Sequence, residues 1–88
     1  MSRIIKKSSA GTMESSDMYV EISPADDIKI ELDSVVSAQF GDEIRSLISE
    51  VLTEQGISGA YVKAIDRGAL DCVIRSRVET AIKRAKEA

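Results

Sequence analysis

Residues 18–33 read MYVEISPADDIKIELD, and the fold turns on how this stretch is paired. Met18, Val20 and Ile22 alternate with Tyr19 and Glu21. Ile28, Ile30 and Leu32 alternate with Lys29, Glu31 and Asp33. A period of two with apolar residues on one side marks a strand with one buried face. Between the two runs, Ser23-Pro24-Ala25-Asp26-Asp27 supplies turn residues and no apolar period. Two strands so close in sequence predict a β-hairpin.

Beyond Asp33 the period changes. Val36, Phe40, Ile44, Leu47, Ile48, Val51 and Leu52 fall three and four apart, the stripe of an amphipathic helix. Ser34 or Ser37 can cap its start, and Gly56 suits the position just past its end, where a left-handed backbone is needed. Gly41 weakens the first turns, so the regular helix is expected from Asp42. The last third repeats the plan. Ala60, Val62 and Ala64 alternate with Tyr61, Lys63 and Ile65; Asp66-Arg67-Gly68 is a turn signal; Leu70, Cys72 and Ile74 alternate again; and Val78, Ala81, Ile82 and Ala85 form a helical stripe with a basic flank. Leu70, Val73, Ile74, Val78, Ala81 and Ile82 also fit one long helix, so residues 69–75 admit both strand and helix. The turn at Asp66 favours the hairpin. The expectation is an α+β domain over residues 17–88: two β-hairpin–helix units, an antiparallel sheet, and helices packed on one face.

Residues 1–16 show neither period and are crowded with Ser8, Ser9, Gly11, Thr12, Ser15 and Ser16. They read as a flexible lead. The whole chain has 88 residues, and its apolar fraction of 43% includes only Phe40, Tyr19 and Tyr61 as aromatics. The core must therefore be aliphatic and modest, which suits a protein that works attached to others.

Composition excludes several chemistries. The chain has no histidine, so neither a Ser-His-Asp nor a Cys-His arrangement can be built, and the commonest metal ligand is missing. One cysteine, Cys72, forbids an internal disulfide or a C-x-x-C motif; it reads as a small buried hydrophobe, and a lone thiol fits the cytoplasm. No phosphate-cradling glycine loop occurs, no apolar run approaches a membrane span, and no secretory leader is evident. No catalytic residue and no metal site is expected; the carboxylates read as solvated surface. Net charge is −3, distributed unevenly: residues 11–57 hold eleven acids against Lys29 and Arg45, whereas 58–88 are basic. Arg75, Arg77, Lys83, Arg84 and Lys86 on the last helix read as a solvated face or a dock for an acidic partner rather than a nucleic-acid surface.

Two serines could carry a covalent arm. Asp33-Ser34-Val35 resembles the attachment tripeptide of ordinary acyl carrier proteins, which are all-helical bundles bearing phosphopantetheine; here the residues before Ser34 alternate as a strand. The second candidate lies in Gly11-Thr12-Met13-Glu14-Ser15-Ser16-Asp17. This segment, Gln39-Phe40-Gly41-Asp42-Glu43-Ile44-Arg45 and Asp66-Arg67-Gly68-Ala69-Leu70-Asp71-Cys72-Val73-Ile74-Arg75 together resemble the citrate lyase acyl carrier protein, or gamma chain. The likeness spans roughly residues 8–86. It implies a non-catalytic carrier subunit in which Ser15, with Ser16 as competitor, holds triphosphoribosyl-dephospho-coenzyme A (triphosphoribosyl-dephospho-CoA) through a phosphodiester. It also implies that the arm's thiol carries acetyl and citryl groups between the alpha and beta subunits, which turn citrate into acetate and oxaloacetate, and that a dedicated prosthetic-group transferase loads the arm. Glu14 and Asp17 are assigned to recognition by that transferase. No nucleic-acid or membrane partner is expected. The carrier subunit of malonate decarboxylase, which uses the same kind of arm, is the nearest rival; a plain interaction adaptor is the other.

Overall fold

A computed structural model describes residues 4–35 and 37–86 of the chain. Its elements are β1 (Ser8–Gly11), β2 (Met18–Ser23), β3 (Ile28–Ser34), α1 (Ser37–Glu54), β4 (Ala60–Asp66) and α2 (Asp71–Lys86). The four strands form one sheet in the order β1-β2-β4-β3. The α+β class stands, with both helices on one face, but the pairing departs from two successive hairpins.

The strands of residues 18–33 are correctly placed and do not pair with each other. β4 enters between them, antiparallel to β2 with Val20 opposite Ala64 and parallel to β3 with Leu32 beside Ala64. The sheet is therefore mixed, and β3-α1-β4 is a crossover unit joining parallel strands. The four residues 24–27 carry the chain from β2 across to the far edge. At that crossing Gly59 lies so close to the backbone that an added Cβ would stand 2.2 Å from the Ala25 carbonyl oxygen. The Ala60 amide donates to the Asp27 carbonyl at 3.1 Å as β4 begins.

The hairpin that does form is earlier in the chain. β1 pairs antiparallel with β2, Ala10 opposite Val20, so regular structure begins at Ser8, within the segment 1–16 that shows no period. α2 holds β1 from behind. Ser8 Oγ donates to the Ala81 carbonyl at 2.6 Å, Arg84 Nη1 donates to the Ser9 carbonyl at 2.9 Å, and the Ile5 amide donates to the Ala85 carbonyl at 3.1 Å. Ile4 and Ala10 are buried.

Residues 71–75 belong to α2, not to a fourth strand of a second hairpin. Ile74, Val78, Ala81, Ile82 and Ala85 are its buried residues, a helical spacing that one continuous stripe satisfies. Cys72 stands two residues from Ile74, about 200° around the helix axis, and is exposed rather than buried. Helix α1 starts at Ser37, ahead of the expected Asp42, with Gly41 buried inside it. It buries Ile44, Ile48, Val51 and Leu52, while Phe40 faces solvent; Val36 lies outside the described residues. The helix ends as expected at Gly56, whose amide donates to the Thr53 carbonyl, followed by the Ile57 amide to the Leu52 carbonyl.

The core is aliphatic. Met18, Val20 and Ile22 of β2 and Ala60, Val62 and Ala64 of β4 are at most 2% exposed and meet the buried stripes of both helices. Truncating one of its large members, such as Ile48, removes about 2–5 kcal/mol. Arg75 of α2 bridges to Glu50 at 2.8 Å and Glu54 at 2.5 Å on α1, and so joins the two helices across their outer edge.

Candidate functional site

Strand direction gathers three connections at one end of the sheet. β1 runs into the turn 12–17, β3 ends at Ser34, and β4 ends at Asp66 opposite Met18. Both helices begin at this end.

Ser15 lies in the turn 12–17, exposed, and its hydroxyl makes no hydrogen bond among the described residues. The backbone around it is firmly held. Gly11 has φ +89°, and a Cβ there would stand 1.8 Å from the Met18 carbonyl oxygen, so only glycine fits where the chain leaves β1. Thr12 Oγ1 donates to Asp17 Oδ2 at 2.7 Å across the turn, and the Glu14 amide donates to Thr12 Oγ1 at 3.2 Å. Ser16 takes a left-handed φ of 66°; its amide donates to the Arg67 carbonyl at 2.8 Å, and the Arg67 amide returns a bond to the Asp17 carbonyl at 2.9 Å.

Asp17 is the centre of this clamp. Arg77 of α2 reaches it with Nε at 2.9 Å and Nη2 at 3.0 Å, one to each carboxylate oxygen. Fork-to-fork pairing of this kind fixes direction as well as distance. The Arg77 guanidinium, then the Thr12 hydroxyl, hold the Asp17 carboxyl well below the usual carboxylate range, and Asp17 in turn raises the Arg77 guanidinium. The sequence expectation gave Asp17 to partner recognition; its side chain is instead spent within the molecule. Glu14 remains exposed.

Ser34 is different. It closes β3, it is half-buried, and its Oγ donates to Asp66 Oδ2 at 2.8 Å. Asp66, 1% exposed, also accepts from the Ala69 amide at 2.9 Å, and its carbonyl accepts from the Val35 amide at 3.3 Å. Ser34 therefore belongs to the joint that seats β4 against the start of α2. Sequence reading missed both Asp66 and Arg77 as organisers of this end. The signal for Asp66 was an acid at an inward position of an alternating strand; nothing in the sequence ties Arg77 to a residue sixty positions earlier.

The three arginines of α2 are likewise engaged within the molecule, on Glu50 and Glu54, on Asp17, and on the Ser9 carbonyl. That removes most of the basic face the sequence offered to an outside partner. Among the described residues, no three His, Cys, Asp or Glu side chains converge as a metal site, and no helix is long and apolar enough to cross a membrane.

The described residues at this end thus place an exposed serine on a clamped turn in a small α+β domain. Comparison with known proteins gives the class. Residues 5–85 match the family described as "Malonate decarboxylase delta subunit (MdcD)". The citrate lyase acyl carrier protein of Haemophilus influenzae is 47% identical over 85 residues, 97% of this chain and 90% of that one. Those of Escherichia fergusonii and Halothermothrix orenii are 48% and 44% identical, over 96% of this chain and 89% and 90% of theirs. A chain in the crystal structure of a Pseudomonas malonate decarboxylase hetero-tetramer in complex with malonate superposes with a TM-score of 0.78 at 18% identity, over 96% of this chain and 88% of that one, and shows the same fold. The chain belongs to the citrate lyase acyl carrier protein family.

Proposed function

We propose that this protein is the acyl carrier subunit of a citrate lyase complex, working in the cytoplasm, and that Ser15 takes a phosphoribosyl-dephospho-CoA arm from the donor triphosphoribosyl-dephospho-CoA. The observation that carries the reading is the contrast in the site: Ser15 offers an exposed, uncommitted hydroxyl on a fixed backbone, whereas the Ser34 hydroxyl is bound to buried Asp66. Ser15 Oγ forms the ester bond to the phosphorus next to the ribose, pyrophosphate leaves, and the serine proton passes to a base of the transferase, since this chain has no histidine. When attached, the arm supplies a thiol that carries the acyl group. The carrier's own contribution is positional: a tethered acyl group meets the alpha and beta subunits at high effective concentration without being released.

The test is the intact mass of the protein produced with its transferase, followed by peptide mapping. The expected result is a gain equal to the arm on Ser15 and none in Ser15→Ala. A gain on Ser16, plain phosphopantetheine on Ser34, or no gain with a competent transferase overturns the assignment. The malonate decarboxylase reading draws on the family description matched over residues 5–85 and on the shared fold at 18% identity, against 43–48% identity for the citrate lyase carriers. Mixing the loaded protein with the catalytic subunits of each complex separates them: restored citrate cleavage is expected, and restored malonate decarboxylation would reverse the reading.

A further inference from the structure

Among the described residues, four large apolar side chains stand exposed at the end that holds Ser15. They are Met13 in its turn, Val35 after β3, Phe40 in the first turn of α1 and Leu70 before α2; Val35 is 63% and Leu70 70% exposed. The segments that bear them are joined. The Ser16 amide bonds the Arg67 carbonyl, the Val35 amide bonds the Asp66 carbonyl, and Phe40 lines a shallow groove of about 240 Å³ with Gly68, Ala69 and Asp71. The other exposed apolar residues of comparable size, Ile5 and Ile28, lie away from this end. Charge is one-sided as well. Apart from the Asp17–Arg77 pair and buried Asp66, the segments 12–17, 33–45 and 66–71 carry Glu14, Asp33, Asp42, Glu43 and Asp71 against Arg67 and Arg45, the latter 3.8 Å from Asp42.

We infer that this end is the docking face for the transferase that attaches the arm, and that the transferase meets it with an apolar recess ringed by cations. The inference rests on Ser15 as the attachment residue. Among the proteins that handle the carrier, only the attaching enzyme must bring its reacting atoms to Ser15 Oγ itself; subunits acting at the far end of a long arm need not cover the turn. An enzyme whose donor ends in a triphosphate also needs a cationic site, and an acidic rim around Ser15 complements it. Apolar anchors at the centre and charges at the rim are the usual division of labour in such contacts.

The experiment compares the full-length carrier with Val35→Glu/Leu70→Glu and with Ile28→Glu, after circular dichroism confirms that each is folded. Both altered residues at the docking end are exposed, and Leu70 keeps the backbone carbonyl that accepts from Val73 and Ile74. With purified transferase and its triphosphorylated donor, the double variant is expected to raise the KM for unloaded carrier about tenfold or more with kcat little changed, and to weaken binding in calorimetry by a similar factor. Ile28→Glu should match wild type, and binding should weaken as salt is raised from about 0.1 to 0.5 M. Wild-type loading by the double variant, or an equal loss in Ile28→Glu, overturns the face. Ser15→Ala separates the two claims: it should bind the transferase with unchanged affinity and take no arm. An arm found on another serine, with binding still lost on changing residues 35 and 70, would overturn the Ser15 reading and leave the docking face standing.

Discussion

Ser15 and Ser34 lie at the same end of the sheet, each at the close of a strand or in the turn after one, and each in a sequence that could mark an attachment point. At Ser34 the hydroxyl is committed and the backbone is ordinary strand. At Ser15 the hydroxyl is uncommitted, and the restraint falls on its neighbours: Gly11, Thr12, Ser16 and Asp17 are held by the sheet, by Arg67 and by Arg77. The difference is that at Ser15 the frame is fixed and the side chain idle, which is what the proposed attachment needs. The sequence supplies both by giving hydrogen-bonding duty to the residues on either side.

This comparison can be broken at the frame. Gly11→Ala puts a side chain into the Met18 carbonyl at a φ of +89°. It should cost about 3 kcal/mol or more, read as a lower midpoint in urea unfolding, with loading of Ser15 reduced in the fraction that remains folded. An unchanged midpoint would mean that the turn relaxes freely and that the clamp is not rigid.

The Ser34 side is expected to respond less. Ser34→Ala leaves Asp66 with the Ala69 amide but without the hydroxyl, for a loss of about 1–2 kcal/mol. Arm attachment by intact mass should be wild type. A failure to load in this variant would restore Ser34 as the candidate.

Acid sharpens the contrast with the smallest effect. The Asp17 carboxyl is held below its ordinary value by Arg77 first and Thr12 next, so its folded-state affinity for a proton is lowered. The sign follows: the contribution is fully present above the ordinary carboxylate value, about pH 4, and is lost as pH falls below it. Glu21, lowered by the Tyr19 hydroxyl and then by Lys7, adds a slope of the same sign. The readout is therefore a difference: between pH 6 and 2, the thermal midpoint of wild type should fall more steeply than that of Asp17→Asn. Parallel curves would show that the ion pair adds nothing to stability.

Much of the fold was legible in residue order, because burial writes itself as a period. β2, β3, β4 and most of α1 follow from alternation and from three-and-four spacing, and the end of α1 from Gly56. Partner choice was not legible. Alternation says which side chains face inward, not which strand lies alongside, so the insertion of β4 between β2 and β3 leaves no mark on residues 18–33. β1 was missed because polar bonds hold it: Ser8 and Ser9 are gripped by α2 and by the ladder to β2, with only Ala10 buried to signal a strand. Residues 71–75 satisfied two periods, and the helix prevailed because one stripe from Ile74 to Ala85 fills the space over the sheet. At the site, the serines were visible by type, while the clamp depends on an acid and a base far apart in sequence.

That separation has a consequence for synthesis. A ribosome delivers residues 11–17 well before residue 77, and domains begin to order from their N-terminal side as they emerge. Until α2 has been made and has docked, Asp17 lacks its guanidinium and β1 lacks the helix that grips it. The frame around Ser15 is thus completed only when α2 has docked.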